Sequence, residues 1–316
     1  MPGAGLVNQA KLDASQISFS SRFNMVLQSF EDPIRQIAME LPSDARVEEH
    51  DWLGTVPGLQ EWLDDRKLNS LRADGFQIRN KDFASGIKIH ANDITDDRLG
   101  IVMPKIDMLA AKAGLHYGQL IVDALTNGFV TTGPFGTAYD GQAFFSASHK
   151  DGDGPTQSNT SGATALSQAA YDAARVAMWS LQDEEGDPLN IVPTHLLVGP
   201  SNERTALEIV QAGVIGNPAG TASITNVFAG TARVIVSPRL VNASAGHWFL
   251  MSFQQPVRPI ILQIREAITS AFVTGDENAS GGQSLNRFMR KQLLFGAQGR
   301  HNVGYGLWQF IHGANA

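Results

Sequence analysis

The tract from Trp52 to Gly100, WLGTVPGLQEWLDDRKLNSLRADGFQIRNKDFASGIKIHANDITDDRLG, constrains this chain more than any other. Two tryptophans ten residues apart bracket Gly54, Pro57 and Gly58. A polar run follows, then two short alternating pieces, Phe76/Ile78 and Ile87/Ile89, separated by the turn-rich NKDFASG. That pattern predicts a two-stranded hairpin over Gly75–Asn92. A hairpin alone is marginally stable in water, so it must lie on its own domain or on a neighbouring subunit. The Asp96-Asp97 pair then opens a long helical pattern, where carboxylates suit a helix N-terminus. The tract is rich in aromatic and turn residues and holds no catalytic motif. It suits a surface that meets other protein copies.

The rest of the chain is consistent with a mixed fold. Residues 1–50 begin polar and Gly/Ser-rich and read as an arm. A short helix is expected at Asp32–Leu41, with Asp32 as N-cap and Pro33 at the first helical position. A helix this short is marginal by itself and needs something to dock on. Asp96–Asn127 carries Ile106, Leu109, Ala110, Ala113, Leu120, Ile121, Ala124 and Leu125 at three- and four-residue spacing, with Gly128 as a stop. Pro104, Gly114 and Gly118 are expected to bend or interrupt it. Residues 150–163 are Asp/Gly/Ser/Thr-rich, and an exposed loop is expected there. Helices are expected at Thr164–Leu181 and Ser201–Gln211, strands at His195–Val198, Ala232–Ser237, His247–Phe253 and Pro259–Arg265, and a mobile loop at 213–230. The tail alternates enough for two strands around a Gly-containing bend. Helices and strands mix without regular β-α-β alternation, which argues for an α+β fold.

Composition excludes several functions. With 316 residues and 43% hydrophobic content the chain can bury a sizeable core, and its length is a soft prior for about two domains. It has no cysteine, so disulfides, thiolate metal sites and cysteine nucleophiles are ruled out together. No apolar run reaches the roughly 20 residues that span a bilayer, and the N-terminus lacks the pattern of a signal peptide. A soluble protein that stays where it is made is expected. The net charge is −7. The densest basic cluster, Arg287, Arg290 and Lys291, falls short of the stripe that grips phosphates.

Candidate chemistry is weak. His90, Asp93, Asp96, Asp97, His149, Asp151 and Asp153 are the residue types of a hydrolytic metal site. Their spacing matches no ligand motif, and HKDGDGP at 149–155 lacks the later ligands of a calcium loop. A structural role is expected for the set. His90, His195 and His247 are expected to be hydrogen-bonded structural histidines. No nucleophile elbow, Walker loop or dinucleotide fingerprint occurs. No cofactor, no metal and no catalytic residue is expected. Trp179, Trp248 and Trp308 are expected in the core. Trp52 and Trp62 flank the arm-to-hairpin junction, where burial against a neighbouring subunit competes with burial in the same chain.

Four islands, WLGTVPGLQEWLDDRKLNSLRADGFQIRNKDF, DITDDRLG, YDGQAFFSASH and RHNVGYGLWQ, resemble in their order and spacing the major head subunit of Mu-like phages and prophages. The likeness runs from about residue 50 to 312. It implies an HK97-like capsid fold with an N-terminal arm at 1–50, an extended loop region at 51–95, a peripheral domain with a spine helix at 96–149, an axial domain at 150–245, and strands returning through both at 246–316. It also implies a non-enzymatic protein that self-assembles into hexamers and pentamers of an icosahedral shell around double-stranded DNA. The partners it implies are other copies, a scaffold and protease, a portal and decoration proteins, with no membrane. The expected place is the virion capsid, assembled in the host cytoplasm. Assembly contacts are expected at Trp52, Trp62, Arg66, Phe76, Asn80, Lys81, Phe83, Asp96 and Asp97. Some shells of this fold are cross-linked between Lys and Asn. No cross-link is expected at Lys67, Lys81 or Lys88, and a separate scaffold protein is expected because only about 50 residues precede Trp52. Cutting out Gly75–Asn92 is expected to leave a foldable subunit that builds no stable shell. An encapsulin-like compartment with a protein cargo is the second expectation, and a metal-dependent hydrolase the third.

Overall fold

The computed structural model describes residues 9–50, 76–90, 93, 99–152, 154–216, 223–273 and 292–316. The chain divides into two compact units: residues 1–32, 80–117 and 264–301, and residues 33–79, 118–263 and 302–316. A four-stranded sheet runs in the order Ala38–Pro42, Ile260–Val273, Gln292–Tyr305, Lys81–His90. Its two middle strands are 14 residues long, and their residues are divided between the units.

In the first unit, helix α1 (Gln9–Ser29) packs along helix α2 (Leu99–Gly114) and over the sheet. The core joins Phe19 and Phe23 of α1, Val102, Ile106, Leu109 and Ala110 of α2, and Ile89, Phe295 and Ala297 of the strands. The spacing explains the contact: 102, 106, 109 and 110 fall on one helical face, as do 19 and 23. Phe295 is the hub. Phe19 and Phe23 meet its ring edge-on at 6.1 and 6.0 Å, and Phe272 approaches at 6.1 Å, the offset geometries that aromatic quadrupoles favour. Arg22 forks onto Asp107 at 2.7 and 2.8 Å, but the pair is solvent-exposed and contributes little beside the rings.

The expected long helix is present in two parts. It breaks at Leu115 between α2 and α3 (His116–Asn127). Gly114 is the last residue of the first part, and a Cβ there would lie 2.9 Å from the Phe30 ring. Pro104 sits inside α2 without ending it, and Gly118 lies within α3.

The second unit is built on a five-stranded sheet in the order Arg233–Val236, His195–Val198, Trp248–Met251, Ile311–Ala314, Thr160–Gly162. The outer pairs are parallel and the two around Trp248–Met251 are antiparallel. Leu196, Leu197, Val198 and all four residues from Trp248 to Met251 are fully buried. Such continuous apolar runs mark strands covered on both faces. Helix α4 (Gln168–Trp179) contributes Tyr171, Ala174 and Met178, and helix α5 (Glu203–Val210) contributes Ala206, Ile209 and Val210. Ser167 caps α4 by accepting from the Ala170 amide at 3.2 Å.

Three sequence expectations are corrected. Residues 32–41 do not form a helix: a 3-10 turn, Pro33–Ile37, leads into the strand Ala38–Pro42. Pro42 holds Leu41 extended, and sheet pairing takes the backbone bonds. The polar arm contains the 21-residue helix α1. The stretch 76–90 is not a hairpin folded on itself. Gln77–Arg79 pairs with Val47–Glu49, whereas Lys81–His90 pairs through ten residues with Gln292–His301. KDFASG is therefore strand rather than turn. It lies on the outermost strand of its sheet among the described residues, where most side chains face water and no apolar alternation is required.

Two outcomes follow from these contacts. A chain lacking 75–92 loses the buried Ile78 and Ile89 along with both pairings. It is expected to show no cooperative thermal transition by circular dichroism, against the foldable subunit expected from sequence. Phe295→Ala is expected to destabilise the subunit by about 3–5 kcal/mol, read as a lowered denaturant midpoint at unchanged slope.

Candidate assembly surfaces

Of the residues expected at contacts, Trp52, Trp62, Arg66, Asp96 and Asp97 lie outside the described residues. The remaining four do not form one patch. Phe76 belongs to the second unit, is half-buried, and its carbonyl accepts from the His50 amide at 2.8 Å. Asn80 is buried at the junction of two strands, and Lys81 is exposed opposite His301 in the ladder. Phe83 is half-buried in a cluster of rings.

That cluster brings two imidazoles together with Phe83 and Tyr117 in the first unit. Phe83 stacks on His301 at 4.7 Å and 20°, with His116 and Tyr117 edge-on to the same imidazole at 5.1 and 4.8 Å. A cavity of about 190 Å³ opens beside them, lined by Phe83, Leu109, Lys112, His116, Ile268 and His301 among others. Burial, with the His116 imidazole adding to it, pushes the His301 pKa down to about 4. In the second unit burial pushes His312 down to about 4 as well, while its Nε2 bonds Ser161 Oγ at 2.7 Å. A ring whose pKa falls from 6.5 to about 4 on folding is favoured in its neutral form. Its contribution to stability is complete above 6.5 and lost as pH falls from there to about 4.

The described members of the His/Asp set form no metal site. His149 is fully buried, stacked on Trp308 at 4.3 Å, and bonded through Nδ1 to Asp140 at 2.6 Å and through Nε2 to the Phe144 carbonyl at 3.2 Å. It locks a loop to the core, as the structural expectation had it. His90 is exposed at a strand end, and Asp96, Asp97 and Asp153 lie outside the described residues. Among the described residues no three His, Asp or Glu side chains converge as metal ligands would. His195 is half-buried, bonded to Thr194 Oγ1 at 2.8 Å and stacked on Phe253 at 4.1 Å.

Exposure separates the tryptophans. Trp248 and Trp308 are fully buried, and the Trp248 indole donates to the Thr164 carbonyl at 2.9 Å. Trp179, expected in the core, is 45% exposed at the end of α4. The helical wheel carried that signal: Tyr171, Ala174 and Met178 define the inner face, and 179 lies off it.

A two-unit subunit with a four-stranded sheet, a broken helix and a helical N-terminal segment has an HK97-like fold. Solved shells share it. The procapsid subunit of bacteriophage JBD30 matches 98% of this chain and 76% of its own, with a TM-score of 0.56 at 23% identity. The virus-like particle from Pyrococcus furiosus matches 94% and 97%, with a TM-score of 0.50 at 8% identity. Sequence carries the assignment further. The Mu-like prophage FluMu major head subunit of Haemophilus influenzae is 27% identical over 298 residues, 94% of this chain and 70% of the relative. The major capsid protein of Escherichia phage Mu is 33% identical over 144 residues, 46% of each. The family described as Mu-like prophage major head subunit gpT matches residues 12–165, 158–240 and 241–316, and the chain belongs to it. It is a structural head subunit of the virion capsid and not an enzyme.

The buried imidazoles supply a test. The melting temperature of the subunit is expected to fall as pH is lowered from 6.5 to about 4. His301→Phe, which keeps a ring against Phe83, is expected to make that fall shallower. An identical pH profile in the variant would remove His301 from the account.

Proposed function

We propose that this head subunit assembles into hexamers and pentamers that close an icosahedral shell around phage double-stranded DNA. Assembly takes place in the host cytoplasm with a separate scaffold and protease, a portal and decoration proteins. The observation that carries the reading is the family match, which extends along almost the entire chain from residue 12 to 316. Net charge is consistent with the DNA half: the chain as a whole is acidic at −7, and a strongly basic lining would trap DNA during filling. The arm, the extended loop region and the contact residues Trp52, Trp62, Arg66, Phe76, Asn80, Lys81, Phe83, Asp96 and Asp97 belong to the same proposal. In it each subunit lays partly covered elements on its neighbours, and many moderate contacts sum over the shell. The arm enters as the helix α1, whose inner face is already occupied.

Electron microscopy of the protein expressed with its scaffold is expected to show closed shells with both five- and six-fold capsomers. A discrete monomer under all conditions would sink the proposal. Shells filled with an enzyme rather than DNA would point to a cargo compartment.

A further inference from the structure

We propose that the cavity beneath α2 is a binding site for a small phenol, a single aromatic ring whose hydroxyl bonds the His301 imidazole. The site lies wholly within the first unit and does not depend on the shell reading.

The hollow is built by the sequence. Alternation along a strand puts Phe295, Ala297, Gly299 and His301 on one face, so two small residues separate two rings. In the ladder Ala297 stands opposite Ser85 and Gly299 opposite Phe83. Ala113, again small, covers the gap from α2, one turn after Leu109. The space left is about 190 Å³. An apolar cavity of about 150 Å³ already takes a benzene ring, so this one has room for a ring and one substituent and little more. Phe83, stacked on His301 at 4.7 Å and edge-on to His116 at 4.6 Å, gives it an aromatic wall, which favours a flat ring over an alkyl group.

The polar group comes from His301. It is fully buried, it lines the cavity, and neither ring nitrogen has a hydrogen-bond partner among the described residues. The Glu266 backbone favours its protonated form without meeting hydrogen-bond geometry. Buried polar groups are nearly always paired, so this imidazole calls for a partner. Burial keeps it neutral, with one donor and one acceptor nitrogen. A hydroxyl can accept from the first or donate to the second, and so suits either tautomer. A carboxylate can only accept, and would give up its hydration among apolar walls. Another copy of this chain has no phenol to offer: Tyr117, Tyr139, Tyr171 and Tyr305 are all buried. The ring and hydroxyl of a free compound fill the space by themselves.

Equilibrium dialysis of the full-length chain against phenol is expected to show saturable uptake, half complete at about 1 mM, ordinary for so small a ligand. Benzene, the same ring without the hydroxyl, is expected to bind about tenfold more weakly, the equivalent of one hydrogen bond. His301→Phe is expected to erase that difference. Ser85→Leu, at an exposed position on the cavity wall, is expected to fill the space and abolish uptake of both. No saturable uptake, equal affinity for phenol and benzene, or phenol uptake unchanged in Ser85→Leu would each overturn the site. Should His301→Phe fail to fold, the benzene comparison and Ser85→Leu decide. N-acetyltyrosinamide is expected to bind more weakly than phenol. Tighter binding of it would overturn the free compound as occupant in favour of a tyrosine from a different protein.

Discussion

The first unit depends on the pairing of Gln292–His301 with Lys81–His90. Ten register partners join segments about 200 residues apart in the chain. That ladder aims Phe295 and Ala297 at the helices, and the helices close over them with Phe19, Phe23, Ile106 and Ala110. The approach is close enough to require glycine: a Cβ on Gly296 would lie 2.6 Å from the Ser85 carbonyl oxygen. The arm helix has no partner without this surface, because a helix of mixed polar sequence is stabilised by the face it buries. Local propensity and tertiary burial are thus unequal partners here. The strand pairing comes first in the logic, and the helices borrow their order from it.

The second unit follows a different logic, and it was much the easier to read from sequence. His195–Val198 is a strand with the bounds its apolar run implies, and strands at 233–236 and 248–251 lie inside the spans expected. Helices α4 and α5 likewise lie inside the spans expected, 164–181 and 201–211. These elements carry their own signal, since a strand buried on both faces is apolar throughout. Lys81–His90 carries it only at its end, where Ile87 and Ile89 alternate. It is an outer strand whose identity is conferred by a partner far along the chain, so NKDFASG reads locally as a turn. Residues 33–42 mislead for the converse reason: Ile34, Ile37 and Ala38 suit a helical face, yet Pro42 and the sheet draw the chain out. The functional class was legible through the ordered islands of family resemblance, not through any site. Of the contact residues expected from sequence, the described ones fall in two separate units, and the exposure of Trp179 emerged only from the wheel of α4.

Ionisable groups fill the roles of packing pieces. His149 lies flat on Trp308 and ties Asp140 to the loop carbonyl of Phe144. His301 is one ring among four. Burial pushes the Tyr305 phenol upward, while its hydroxyl donates to the Ala124 carbonyl at 2.9 Å. Burial likewise raises Tyr139, whose hydroxyl accepts from Gln309 at 2.8 Å. Shifted groups of this kind often mark catalysis. In this head subunit His301, Tyr305 and Tyr139 instead hold rings in single positions, and burial favours the neutral form of each.

The outer strand Lys81–His90 has one more consequence. Among the described residues its far edge pairs with nothing in the sheet order. A bare edge is a template for any passing β-strand, a hazard for a protein made in great numbers at once. Lys81, Asp82 and Lys88 stand along it, exposed, and a foreign strand would have to strip water from all three. Exposed charge along an outer strand is one of the ways folded proteins discourage edge-to-edge aggregation.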